Sequence, residues 1–280
     1  MDTDQGAPAY RRRGAGVEAP QPSKPPRRAR GASRIVLGAV GVLGELLLTA
    51  GAFVFLYLGW QLYLNNAIAG NEQTQLAQEL SRTWAAEYTE GPITAEVPKA
   101  GAPAASTTVP VYAGAPGNAE QFATLIVPRF GADWTRPIAE GIGIYDVLNT
   151  FGIGHYPGTA MPGAVGNFAV AGHRTSHGDP LININQLDVG DSIYVETQDG
   201  WYRYAFRSHE YVPPTGVEVL AAVPQAPGAA ATDRIITLTS CNPVHSVSER
   251  YIAYGVLADW IPRSAGPPAE IAHLYPDPVA

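Results

Sequence analysis

At 280 residues with a single cysteine, the chain has room for one ordinary domain plus appendages or two small domains, and it can form no internal disulfide. Its 30 glycines and 25 prolines call for many turns and flexible ends, as in an all-β domain. The net charge of −7 conceals a basic leader: residues 1–34 hold eight Lys or Arg against three acids, a balance of +5 that leaves −12 for the rest. A leader of this kind is compatible with nucleic-acid binding, but the segment that follows it points elsewhere.

Residues 1–34 lack hydrophobic periodicity and read as a disordered cytoplasmic tail. Residues 35–60 are apolar for longer than the roughly 20 residues that span a bilayer, and exceed the h-region of a cleaved signal peptide. With the arginines before this segment and the acidic remainder after it, the positive-inside rule sets the amino terminus in the cytoplasm. The expectation is therefore a single-pass protein of the cell membrane whose larger part is extracellular. Glu45 lies mid-span, where a charge costs about 2.5–3.5 kcal/mol, so it reads as a tolerated or paired carboxyl.

Residues 61–122 read as an extracellular stalk and linker, with Leu76, Leu80, Trp84 and Tyr88 spaced along one face of a polar helix that either projects from the membrane or packs on the domain, a simple stalk being the preferred reading, and an Ala/Pro/Thr/Gly-rich stretch after it. From residue 123 to 262 come eight short strand candidates: 123–128, 136–138, 168–172, 192–197, 201–212, 216–219, 235–240 and 251–257. Asp199-Gly200 marks a hairpin between two of them. Helical signal is confined to 144–150 and a turn near 181–187. This pattern predicts an all-β barrel or sandwich, followed by a flexible tail over 263–280. The Gly/Pro stretch 151–166 reads as a loop and a groove wall.

Cys241 ends a β-branched run and precedes Asn242-Pro243, which stops a strand. A free cysteine is most often a small buried hydrophobe. Here, however, Ser240 and Asn242 flank it, and Arg250 opens a second strand-like run nine positions later. Paired as a hairpin, the two runs bring a guanidinium beside the sulfur, where positive charge favours thiolate and stabilises an oxyanion. Among six histidines, His173 is the best placed partner because it too ends a strand-like run, with His245 the alternative. Arg174 competes with Arg250 but sits next to His173. His173 and His177 share an i, i+4 spacing, yet no third ligand accompanies them, so no metal site is expected. His155 is placed at the border of the groove, and His209 and His273 read as structural or exposed. Glu249 should face away from Cys241.

These residues carry a family resemblance. Thr237-Leu-Thr-Ser-Cys241 resembles the Thr-Leu-x-Thr-Cys signature of sortases, with Ser240 in place of the usual threonine. Ala171-Gly-His173-Arg-Thr is similar to their Gly-His segment, and Glu249-Arg250-Tyr-Ile to their arginine strand. The stretch opening at Ile126, the loop at Gly154 and Cys-Asn-Pro look most like the class E, housekeeping-type sortases of high-GC Gram-positive bacteria.

The resemblance implies an eight-stranded sortase β-barrel and a cysteine transpeptidase. Cys241 would attack the Thr–Gly bond of a sorting signal resembling Leu-Ala-x-Thr-Gly and hold a thioacyl-enzyme, which an amine of a lipid-linked peptidoglycan precursor resolves. His173 would shuttle the proton and Arg250 would stabilise the oxyanion. Tyr156, Thr239 and Ser240 are the expected substrate-binding positions. The implied partners are sorting-signal-bearing surface proteins, that precursor amine and the cell membrane, with no nucleic acid and no cofactor. A thiol hydrolase on the same barrel and a non-catalytic surface-binding domain are the rival readings. No acidic calcium cluster and no Asp-Pro-aromatic lid are evident in the sequence.

Overall fold

The structure, a computed structural model, describes residues 30–90 and 109–275. The leader before residue 30, linker residues 91–108 and the end of the tail from 276 lie outside the described residues. The chain divides into two compact units, Met1–Val54 and Phe55–Ala280.

The first unit is described by the apolar helix α1 (Arg30–Gly59), which continues across the boundary at Val54. Its stretch Arg34–Gly59 is, at 26 residues, long and apolar enough to cross a membrane. Leu37, Leu47, Leu48 and Phe53 are all exposed on it.

In the second unit, a π-helical turn (Trp60–Leu64) leads into α2 (Asn65–Glu90). Eight strands follow: β1 (Gln121–Ile126), β2 (Thr135–Glu140), β3 (Ile153–His155), β4 (Gly166–Gly172), β5 (Ser192–Thr197), β6 (Gly200–Val212), β7 (Arg234–Asn242) and β8 (Glu249–Pro262). They close into a barrel in the order β1-β2-β3-β4-β7-β8-β6-β5, so the all-β, eight-stranded expectation holds. Closure removes the open sheet edges. Phe168, Val170, Ile193, Val195, Tyr202, Tyr204, Ile236 and Leu238 fill the interior, alternating with outward residues as the pleat requires.

The expected strands match with shifted ends, apart from one exchange. Residues 216–219 follow Pro213-Pro214 and form a 3-10 turn, Val217–Leu220, instead of a strand. The missing strand is β3, inside the stretch read as a loop. It is three residues long and buried throughout, pairing parallel to β2 and antiparallel to β4, so it shows no alternation. Gly154 is required there: a Cβ would lie 2.2 Å from the carbonyl oxygen of Gly141. Gly154→Ala is expected to cost about 1–3 kcal/mol by overpacking, read by urea unfolding. The hairpin at Asp199-Gly200 forms as expected, with Thr197 opposite Gly200.

Of the two courses open to this helix, projecting from the membrane or packing on the domain, α2 takes the second and packs on the barrel. It does so through Gly70, Gln73, Ala77, Ser81 and Trp84, all buried, while Tyr88 is exposed. Apart from Trp84, the contact face is made of small and polar residues. Ser81 Oγ donates to the carboxylate of Glu196 at 2.6 Å, and Gln73 Nε2 donates to the carbonyl of His177 at 2.9 Å. The end of the expected linker is also docked: Tyr112 packs on the core, and its N–H donates to the carbonyl of Pro162 at 3.0 Å. On the outside of β5 and β6, Tyr194 and Trp201 are covered by Ile271 and Tyr275 from the carboxyl-terminal segment.

Candidate active site

The β7–β8 hairpin forms in the expected register, with Cys241 directly opposite Arg250. Strand β4 lies on the other side of β7, parallel to it, and their last pair is Ala171 with Thr239. Two residues further along each strand direction come His173 and Cys241. Leu238, Ile236, Val170 and Phe168 point into the core. Alternation therefore turns Thr239, Cys241, Ala171 and Arg250 to the outer face of the barrel. The thiol, the imidazole and the guanidinium thus belong to one end of three adjacent strands. Cys241 is half-buried with a free thiol.

His173 accepts its orientation from Asn149, whose Oδ1 lies 2.9 Å from Nε2. A carbonyl oxygen there accepts a hydrogen bond from Nε2–H and leaves Nδ1 as the free basic nitrogen. Burial holds the His173 pKa below its ordinary value, the neighbouring His177 lowers it further, and Asp179 acts in the opposite direction. The two imidazoles stand 5.4 Å apart between ring centres. His177→Gln is accordingly expected to move the acid limb of any His173-dependent rate to higher pH, and Asp179→Asn to move it lower. A pH–rate profile in which both shift the same way would contradict this assignment of causes.

Arg250 Nη1 donates to the carbonyls of Val247 and Glu249 at 3.0 and 2.9 Å, which holds its guanidinium at the hairpin end. Arg174, its competitor in the sequence, is buried. Its Nε donates to the carbonyl of Ile182 and Nη2 to Asn185 Oδ1, and the guanidinium stands over the ring of Tyr251. Glu249 accepts from Asn242 Nδ2 at 2.9 Å.

Tyr156 and Thr239 meet through their hydroxyls at 2.9 Å, on the outer side of β7. Thr239 and Ser240 are both buried. The Ser240 hydroxyl donates to the carbonyl of Gly172 at 2.8 Å, tying β7 to the residue just before His173. Its hydroxyl is thereby committed to positioning the backbone next to the imidazole. Val217–Leu220 lies over the same outer face, where Val212, Val219 and Ile252 form a satellite cluster. Asn167 Nδ2 pins this segment by donating to the carbonyls of Val219 and Ala221.

One sequence expectation about the histidines resolves differently. His155 does not border a groove: it is 1% exposed, stacked on Phe168, with Nδ1 2.6 Å from Glu140. His245 is exposed in the β7–β8 turn, and His273 meets the carbonyl of Ala132. His209 stacks on Tyr251. Among the described residues, no group of three His, Cys, Asp or Glu side chains is arranged to hold a metal ion. Asn149 escaped sequence reasoning because nothing local marks it; it reaches His173 across 24 residues. His177 was read only against a metal, while its role beside His173 depends on the loop 176–179. In that loop Ser176, His177 and Asp179 all take positive φ.

A closed eight-stranded barrel with a thiol and an arginine paired across one hairpin, and a histidine at the end of the next strand, is the arrangement that the sequence resemblance implies. The sortase domain model matches residues 125–258, and the chain belongs to the sortase family. It is 37% identical over 232 residues to sortase SrtE1 of Streptomyces coelicolor, covering 81% of this chain and 59% of that protein. To sortase SrtE2 of the same organism it is 30% identical over 239 residues, covering 82% and 87%. Among solved structures it resembles the SrtA sortase of Actinomyces oris, with 39% identity and a TM-score of 0.55 over 59% of this chain and 94% of that one. It also resembles sortase E1 of Streptomyces coelicolor, solved with a tripeptide in the active site, with 41% identity and a TM-score of 0.51 over 56% and 99%.

Proposed function

We propose that this chain is a membrane-anchored cysteine transpeptidase that cuts the Thr–Gly bond of a sorting signal resembling Leu-Ala-x-Thr-Gly and transfers the new carboxyl end to a cell-wall amine. The observation that carries this reading is the β7–β8 register, Cys241 against Arg250, at the strand end that His173 also reaches through β4. The Cys241 sulfur attacks the threonine carbonyl carbon, with the guanidinium of Arg250 stabilising the oxyanion. Protonated His173 gives its proton to the departing glycine nitrogen as the C–N bond breaks. Neutral His173 then takes a proton from the incoming amine, whose nitrogen lone pair attacks the thioester; the C–S bond breaks and the sulfur leaves with its electrons. Tyr156, beside Thr239 on the outer face, borders the groove in which the signal lies.

The anchoring rests on α1. Its exposed leucines and phenylalanines form an apolar surface too extensive to remain in water, and the basic leader before it favours a cytoplasmic amino terminus. The partners are then surface proteins that carry the signal and the amine of a lipid-linked peptidoglycan precursor. The test is incubation of the full chain in detergent with a Leu-Ala-x-Thr-Gly peptide, with and without an amine, and identification of products by mass. A peptide–amine conjugate supports the transpeptidase. Cleavage to the free acid alone, whatever the amine, establishes the hydrolase instead, and an unreacted peptide removes both.

A further inference from the structure

Bordered by His177, the neighbour of His173, lies a cleft of about 700 Å³ that this mechanism has not used. Its walls come from three places: Gln61 in the π-helical turn with Asn65 at the start of α2, Thr175, His177 and Asp179 in the loop after β4, and His245 in the β7–β8 turn. We infer that this cleft is the docking site of the second substrate, an amine carried on a membrane-bound molecule, and that the helix leaving α1 forms part of its wall. The inference rests on the transpeptidase reading and adds where the amine is held.

Three observations point the same way. The cleft begins next to the proton carrier, because the ring of His177, one of its walls, lies 5.4 Å from that of His173. An amine held there lies within reach of the group that must deprotonate it. One wall begins at Gln61, two positions past the last residue of the apolar helix, so the cleft is tied in sequence to the segment proposed to lie in the membrane. Finally, the charge of the lining is one-sided: one carboxylate, Asp179, and no lysine or arginine. Such a lining attracts an ammonium and favours neutral, hydrogen-bonding peptide groups over anions. The loop that supplies Thr175, His177 and Asp179 is held in its positive-φ conformation by Gln73 of α2, so one helix fixes two of the three walls.

The test changes the helical wall and leaves the proton carrier alone. Asn65 is exposed and lies outside the catalytic strands, so substitutions there leave folding intact. The full chain and its Asn65→Arg and Asn65→Glu variants are supplied with the sorting-signal peptide and triglycinamide, a cationic peptide amine. Formation of the acyl-enzyme, measured without amine, is expected to be equal in all three. The KM for triglycinamide is expected to rise about threefold in Asn65→Arg and to fall about threefold in Asn65→Glu, the size of an exposed charge interaction. High salt should collapse the difference. Equal KM values in the three chains, or a shift of the same sign in both variants, overturn the cleft assignment while leaving the transpeptidase reading in place. Failure of the parent chain to form an acyl-enzyme overturns that reading itself, and this inference with it.

Discussion

Cys241→Ala in the full chain is expected to lower turnover of a Leu-Ala-x-Thr-Gly peptide by more than about 10³-fold, the loss that follows removal of a nucleophile from a site whose other groups remain. The parent chain should gain the mass of the acyl fragment and the variant should not. Because Cys241 is half-buried at the mouth of a strand pair, its truncation should change unfolding stability by less than about 1 kcal/mol. The large kinetic effect and the small stability effect together separate a nucleophile from a packed core cysteine. A variant that still processes the peptide at the parent rate would exclude Cys241 as the attacking group. Arg250→Ala should lose about 10²–10³-fold, as for removal of one oxyanion donor. Arg250→Lys should recover only part, since a point charge does not replace the guanidinium fork.

The second large effect is structural and lies on the opposite side of the barrel. Glu196 on β5 is fully buried, and Arg263 Nη2 donates to its Oε1 at 2.9 Å. Ser81 of α2 and the hydroxyl of Tyr275 both donate to its Oε2. Arg263 is itself sandwiched, with its guanidinium 4.8 Å from the ring centre of Trp201 and 5.8 Å from that of Trp84. Arg263→Ala strands the carboxylate and is expected to cost about 3–5 kcal/mol in urea unfolding.

The pH dependence has a definite sign. Burial raises the Glu196 pKa above its ordinary 4.5, with Arg263 opposing. In this pH range the folded state binds more protons than the unfolded one, so the group's contribution to stability falls as pH rises from about 4.5 through its raised value. Without Arg263 the carboxyl rises further, and the loss in Arg263→Ala should be largest at neutral pH and smaller near pH 4.5. A loss that is the same at both pH values would mean that the damage comes from the missing side-chain packing and not from the stranded charge.

How much of this was legible in the sequence differs by element. The Cys241–Arg250 pairing was legible because a β-branched run, a Pro-containing turn and a second run specify a hairpin locally. The approach of His173 was legible only as a strand end, and the family resemblance supplied the order. Strand β3 was not: three residues buried on all sides carry no period, and Gly154 reads as a breaker until the carbonyl of Gly141 is placed against it. The docking of α2 was hidden for a related reason. Apart from Trp84, its inner face is Gly70, Gln73, Ala77 and Ser81, residues that a search for apolar stripes passes over, because here hydrogen bonds and close approach hold the helix. His155 was misread since its partner, Glu140, becomes adjacent only through the parallel pairing of β2 with β3.

The parallel seam between β4 and β7 has a further consequence. Gly172 and Ser240 bond across a separation of 68 positions in the chain, and the whole β5–β6 hairpin lies between them in sequence. Contacts of that range form late, after local hairpins have settled. Until that seam closes, the chain would hold its cysteine without the imidazole proposed to serve it, so the two groups become partners only once the barrel is complete.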